Sequence, residues 1–222
     1  MSSDLQQLSQ QELLSLALDA LRREDAGRGL AYLKEAASRE DASAQVLFML
    51  GSEYAQIGMI PEAKAALYKS LHAVPELPIA RFQLGLLQLT TGDAAEARSV
   101  WMPLLDLPAT SPLAYLRCFA QGLLDVSIEA WDSARGALLE GLALNLDNAA
   151  LNKDMQGVLE RMDAAQAGQG IPAAAPSAAP SAAAPATTAP APEAATPASA
   201  SPADVDASHL FISAYQHRGK PH

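Results

Sequence analysis

Few side chains in this chain have the type and spacing that catalysis or metal binding requires. The single cysteine, Cys118, lies in an apolar segment, where we expect a buried structural thiol rather than a nucleophile. His209, His217 and His222 share the C-terminal tail but lack the spacing of metal ligands. The sequence contains no phosphate-binding loop, nucleophile elbow or dinucleotide motif. It therefore predicts no enzyme activity, no cofactor and no metal site.

The charge of the chain excludes several classes of partner. Its net charge is −10 at pH 7, and no Lys/Arg cluster is present. We therefore expect no binding to nucleic acid or to anionic membrane surfaces. Residues 1–16 hold an acid and glutamines where a signal peptide needs basic residues and an apolar run, and no stretch is long enough to span a bilayer. We expect a cytoplasmic protein whose partner is a protein or peptide.

Apolar residues recur along the chain with a long period. Phe48, Phe82 and Phe119 are separated by 34 and 37 residues. Between them, apolar residues repeat at intervals of three and four, which is the pattern of amphipathic helices, and no run alternates as a strand would. A period near 34 is typical of helix-turn-helix units that must stack to bury their apolar faces. The sequence therefore predicts an all-α repeat array.

The two central units resemble the tetratricopeptide repeat (TPR), whose signature is a Leu-Gly pair, an aromatic, then Gly, Ala, an aromatic and a closing Pro. Residues 44–77 match this signature at Leu50, Gly51, Tyr54, Gly58, Ala63, Leu67 (in the second aromatic slot) and Pro75. Residues 78–111 match it at Leu84, Gly85, Gly92, Ala97 and Trp101, with Gln88 in the first aromatic slot and Pro108 one position early. A degenerate unit begins near residue 10, and another begins at 115 with Glu129 in the glycine slot.

The resemblance implies a right-handed TPR-type α-solenoid within a domain of residues 1–165. Its units are 10–43, 44–77, 78–111 and 115–148. Residues 149–163 predict one further amphipathic helix that caps the last unit. Residues 166–203 are Ala, Pro, Ser and Thr with a single charged residue, which predicts a disordered linker. Residues 204–222 regain aromatic side chains and form a short C-terminal segment that can become helical when bound.

The resemblance also implies a concave groove lined by the first helix of each unit. The fifth and ninth positions of these helices commonly face the ligand, and here they are Leu14, Leu18, Phe48, Ser52, Phe82, Leu86, Phe119 and Leu123. Family members that hold the acidic C-termini of heat-shock chaperones carry Lys, Arg and Asn at such positions, and these are almost absent here. The prediction is a Phe-lined groove for an apolar helical or extended segment. In the alternative, the phenylalanines turn sideways into packing between the repeats.

The C-terminal segment is itself a candidate occupant. On a short helix Leu210, Phe211, Ala214 and Tyr215 would share one face. The segment is predicted to be an intramolecular plug, a homodimer link or a second partner site, and the alternative is a terminus without a role. Two function classes follow. We favour an interaction adaptor or scaffold, because TPR chaperones of bacterial secretion systems rarely carry such a linker and tail. The other class is a chaperone-like holder of apolar segments in a secretion or assembly system.

Overall fold

The computed structural model describes residues 5–168, and these residues form nine α-helices without strands. The helices are α1 Gln10–Arg22, α2 Ala26–Ala37, α3 Ala44–Gln56, α4 Ile60–Ala73, α5 Pro78–Thr90, α6 Ala94–Leu105, α7 Ala114–Ser127, α8 Trp131–Leu144 and α9 Ala149–Gln166. The all-α prediction is confirmed for this part of the chain. The predicted C-terminal segment and nearly all of the predicted linker lie outside it.

Consecutive helices form four helical hairpins that stack on one another. Helices α1 and α2, α3 and α4, α5 and α6, and α7 and α8 are the hairpins, and the second helix of each packs on the first helix of the next. The last helix, α9, packs on α8. The first helix α5 also contacts the first helices α3 and α7, so we assign these three helices to the inner side of the stack.

The helix ends follow ordinary capping chemistry. Ser9 and Glu12 form a capping box at the start of α1, in which the Glu12 carboxylate accepts the Ser9 N–H at 2.7 Å. This hydrogen bonding from Ser9 lowers the pKa of the Glu12 carboxyl. The Asp93 carboxylate accepts the Glu96 N–H at 3.0 Å and so caps α6. Pro78 opens α5, where its missing N–H has no intrahelical partner to lose.

The turn inside each hairpin contains one residue with a left-handed backbone. These residues are Glu24 (φ 61°), Gly58 (φ 75°), Gly92 (φ 88°) and Glu129 (φ 58°). In every hairpin the following residue donates its N–H to a carbonyl five residues earlier, at 2.9 Å. This bond closes the end of the first helix. The four turns therefore share one geometry, although only two of them have glycine in the left-handed position.

Replacing Glu129 with glycine is expected to raise the free energy of unfolding by about 0.5–1 kcal/mol. A side chain in the left-handed region costs about 1–2 kcal/mol, and glycine removes this cost. Part of the gain is offset because glycine loses more backbone entropy than glutamate does on folding. Thermal unfolding followed by circular dichroism would show a higher Tm. The matched control is Gly58→Ala, which introduces a side chain at the equivalent position and should lower the Tm. A fall in Tm for Glu129→Gly would contradict the shared turn geometry.

The core continues through the stack, and an aromatic pair packs between α5 and α6. Phe82 and Trp101 stack with ring centroids 5.7 Å apart and planes at 23°. The Trp101 indole Nε1–H also donates to the Phe82 carbonyl at 3.0 Å. A Cβ at Gly85 would overlap the Trp101 indole ring, so this position excludes any side chain. In the neighbouring hairpin a Cβ at Gly51 would lie 2.8 Å from Leu67 Cγ, so the same constraint recurs.

Candidate protein-interaction surface

The three phenylalanines predicted to line the groove are buried. Phe48 is 1% exposed, and Phe82 and Phe119 are 0% exposed. The Phe119 ring fills the space beside Gly141 of α8, where a Cβ would overlap it. The predicted Phe-lined groove is therefore wrong in this respect, because the rings pack inside the stack. Phe82 contacts Trp101 of α6, and Phe119 contacts Gly141 of α8. Each of these two rings therefore packs against the second helix of its own hairpin.

Two more residues predicted for the groove are interior. Leu123 is 5% exposed and Ser52 is 2% exposed. The Ser52 hydroxyl donates to Gln83 Oε1 at 2.8 Å, and Gln83 is also buried. This hydrogen bond joins α3 to α5, the first helices of consecutive hairpins. Ser52 thus holds the stack together and is not available to a ligand, which corrects the prediction.

The remaining predicted groove residues, Leu14, Leu18 and Leu86, are partly exposed on first helices. Partly exposed apolar residues also lie near the C-terminal ends of the inner first helices, at positions equivalent in the repeat. We call the combined set the inner face, and it consists of Leu14, Leu18, Ala55, Leu86, Leu89 and Val126. Three of these six belong to the predicted groove. The inner face is made of aliphatic side chains and contains no aromatic ring.

The inner helices α3, α5 and α7 have four charged residues, and all of them are engaged within the fold. They are Glu53, Arg81, Arg117 and Asp125. The two arginines donate to backbone carbonyls in the connections between hairpins and in α6. Glu53 and Asp125 are buried and accept hydrogen bonds from neighbouring side chains. The three helices therefore present no free charge beside the inner face.

A second apolar surface lies on the second helices and was not predicted. Tyr68, Met102 and Leu139 are 42%, 49% and 51% exposed and occupy equivalent positions in three consecutive hairpins. We call this row the outer ridge. The Tyr68 hydroxyl donates to Glu96 Oε1 at 2.8 Å. The pKa of Tyr68 is raised, chiefly by partial burial and secondly by the hydrogen bond to Glu96. The spacing of 34 and 37 residues would have revealed this row in the sequence.

The described residues contain little that suggests chemistry. Cys118 is buried, and burial raises the pKa of its thiol, which disfavours the reactive thiolate. Within residues 5–168 no group of three or more His, Cys, Asp or Glu side chains is placed to hold a metal ion. In the same residues no helix has the length and apolar character to cross a membrane. The cytoplasmic location stays a prediction.

The predicted tail residues Leu210, Phe211, Ala214 and Tyr215 lie outside the described residues. Their assignment therefore stays a prediction.

The stack of hairpins is similar to solved structures of MamA. One, described as MamA 41-end from Desulfovibrio magneticus RS-1, has a TM-score of 0.53 and 20% identity over 72% of this chain and 86% of that chain. Another, described as the MamA RS-1 ArsTM double mutant, has a TM-score of 0.51 and 19% identity over 71% and 89%. No protein-family model matches the sequence, and no curated protein matches it. The structural similarity shows the fold, which is the predicted TPR-type helical solenoid.

Proposed function

We propose that this protein is an interaction adaptor that binds an uncharged, apolar helical segment of a partner on the inner face. Stacked helical repeats produce extended concave surfaces, which repeat proteins use for binding. The observation that carries the proposal is the contrast between the two sides of the stack. The inner face is aliphatic and has no free charge from α3, α5 and α7. The second helices, in contrast, carry exposed charged side chains, namely Arg28, Lys34, Glu62, Lys69, Arg98 and Glu140.

The chemistry of the inner face defines the partner. A charged side chain brought against Leu86, Leu89 or Val126 would lose hydration without meeting a free opposite charge from α3, α5 or α7, which is unfavourable for either sign. An aliphatic or aromatic side chain gains about 1.5–3 kcal/mol when it becomes fully buried. An amphipathic helix with apolar residues on one face meets both conditions, and grooves commonly recognise such helices. Of the described surfaces, the inner face suits this partner best.

The adaptor proposal gives the C-terminal segment a second contact role. A segment tethered to a binding domain acts at an effective concentration near the millimolar range when the tether can span the distance. Residues 204–222 can therefore act as a plug, as a link between copies or as a second partner site. We also propose that the protein works in the cytoplasm.

Labelled amphipathic peptides of about four helical turns test the proposal on the full chain. The parent peptide has Leu and Phe on its apolar face, and three variants replace one central Leu with Asn, Asp or Lys. Fluorescence anisotropy should show saturable binding of the parent and a loss of about tenfold or more in affinity for both charged variants. The Lys variant is decisive, because a chain of net charge −10 would favour it if general electrostatics controlled binding.

Paired substitutions in the protein locate the site. Leu86→Lys and Leu89→Lys on the inner face should each weaken the parent peptide by about tenfold or more. Leu139→Lys makes the same change on the outer ridge, where the side chain is 51% exposed, and should have little effect. Equal losses of peptide affinity in all three variants would exclude the inner face as the binding site. Equal binding of all four peptides, together with suppressed aggregation of an unfolded protein, would instead favour the chaperone-like holder.

A further inference from the structure

Large apolar residues return at the end of the chain beyond the described helices. Residues 169–203 contain one charge, Glu193, and apart from Ile171 their apolar residues are Ala and Pro. Residues 207–217 contain no Asp, Glu, Lys or Arg and include Leu, Phe, Ile and Tyr. Acidic residues precede this run and basic residues follow it. It therefore has the apolar, uncharged composition that the inner face selects.

We infer that residues 207–217 occupy the inner face of the same molecule when no partner is bound. The inference rests on the proposed function, because it assigns an occupant to the same surface. An uncharged run suits a face to which α3, α5 and α7 contribute no free charge. Its Phe and Leu side chains supply the large apolar groups that the aliphatic inner face itself lacks. The linker, in contrast, has almost none of these side chains to bury.

The tether is long enough for this contact. Residues 169–206, treated as a flexible chain, have a root-mean-square span of about 30–37 Å. Neighbouring packed helices are about 8–10 Å apart, so the four hairpins extend about 40 Å from α9 to α1. The segment therefore reaches the whole inner face from the end of its own stack. Docking within one molecule consequently competes well with docking between copies.

Occupation of the inner face by residues 207–217 lowers the apparent affinity for any partner that binds there. With an effective concentration near 1 mM and an intrinsic Kd of about 0.1 mM, the tail would fill the face about nine-tenths of the time. A partner must displace it, so the apparent affinity for that partner falls by about tenfold. Removing the apolar groups of the tail should restore the lost affinity.

The test uses the full chain and the parent peptide. The double variant Phe211→Asp/Tyr215→Asp should bind the peptide about tenfold more tightly than the unsubstituted chain. The control Thr187→Asp/Thr188→Asp adds the same two charges within the linker and should leave the affinity unchanged. Equal affinity of the Phe211→Asp/Tyr215→Asp chain and the unsubstituted chain would overturn the plug while leaving the proposed function intact. No binding by any of the three chains would overturn both.

A photocrosslinker in place of Phe211 locates the segment directly. We expect crosslinks within the monomer to α1, α3 or α5, at or beside Leu18, Leu86 or Leu89. Crosslinked dimers whose yield rises with protein concentration would overturn docking within one molecule in favour of a link between copies. Crosslinks to the outer ridge, or none to the described helices, would overturn the inference itself. Leu89→Lys should reduce the expected crosslink, and Leu139→Lys should not.

Discussion

Replacing Phe82 with alanine is expected to lower the free energy of unfolding by about 3–5 kcal/mol, the usual cost of removing a fully buried aromatic ring. Phe82 is 0% exposed and stacks on Trp101. The cavity left behind would be enclosed by α5 and α6, which are already in close contact at Gly85. Urea denaturation followed by circular dichroism measures the change. For a domain of this size the Tm should fall by about 6–20 °C.

The matched control is Leu139→Ala, an apolar truncation at a residue that is 51% exposed. It should change the free energy of unfolding by at most about 0.5 kcal/mol. Measuring the peptide affinity of the Phe82→Ala protein can contradict the assignment of Phe82 to the core. A Phe82→Ala protein of unchanged stability that no longer bound the peptide would place Phe82 on the ligand surface, contrary to its burial here.

Gly85→Ala is expected to cost about 1–3 kcal/mol or more, although alanine is the better helix former. The added Cβ would overlap the indole ring of Trp101, which is 0% exposed and cannot move without disturbing its stack and its hydrogen bond to the Phe82 carbonyl. Denaturant unfolding monitored by tryptophan fluorescence would show both the loss of stability and a changed environment of the ring.

Gly136→Ala provides the matched control in α8. A Cβ at this position would meet no atom within 4 Å, so only the helix propensity changes. Stability should rise by about 0.5–1 kcal/mol. Two Gly→Ala changes in helices of the same stack are thus expected to have opposite signs. If Gly85→Ala were also stabilising, the close approach of α5 and α6 would be incorrect.

The architecture was predictable because the repeat period marks the positions that the stack needs. Gly58 and Gly92 predict the ends of first helices, and the structure has left-handed residues at both. The same conformation at Glu129 was not predictable from residue type, because glutamate rarely adopts it. Its distance of 37 residues from Gly92 identifies it only once the turns are compared.

The orientation of the phenylalanines was not predictable from their position in a helix. Phe119 turns into the stack because Gly141, distant in sequence, leaves space for its ring. Phe82 does so because Trp101 offers an aromatic face. A family pattern assigns the fifth position to the groove, but these local partners determine where each ring packs.

The substitution in the first aromatic slot of the third unit is also explained only by the structure. Gln88 is buried and bridges two hairpins, because its Oε1 accepts from Lys64 Nζ at 2.5 Å and its Nε2 donates to the Tyr68 hydroxyl at 2.9 Å. A hydrogen-bonded link thus stands where an aromatic ring was expected. The sequence shows the replacement but not the two partners, which lie in the preceding hairpin.

Hydrogen–deuterium exchange of the full chain, with and without saturating parent peptide, tests the central claim most directly. We expect new protection in the first helices around Leu18, Leu86 and Leu89 and unchanged exchange in the second helices at Met102 and Leu139. That pattern would identify the inner face as the binding surface. Protection confined to the outer ridge, or no protection despite saturable binding, would contradict it.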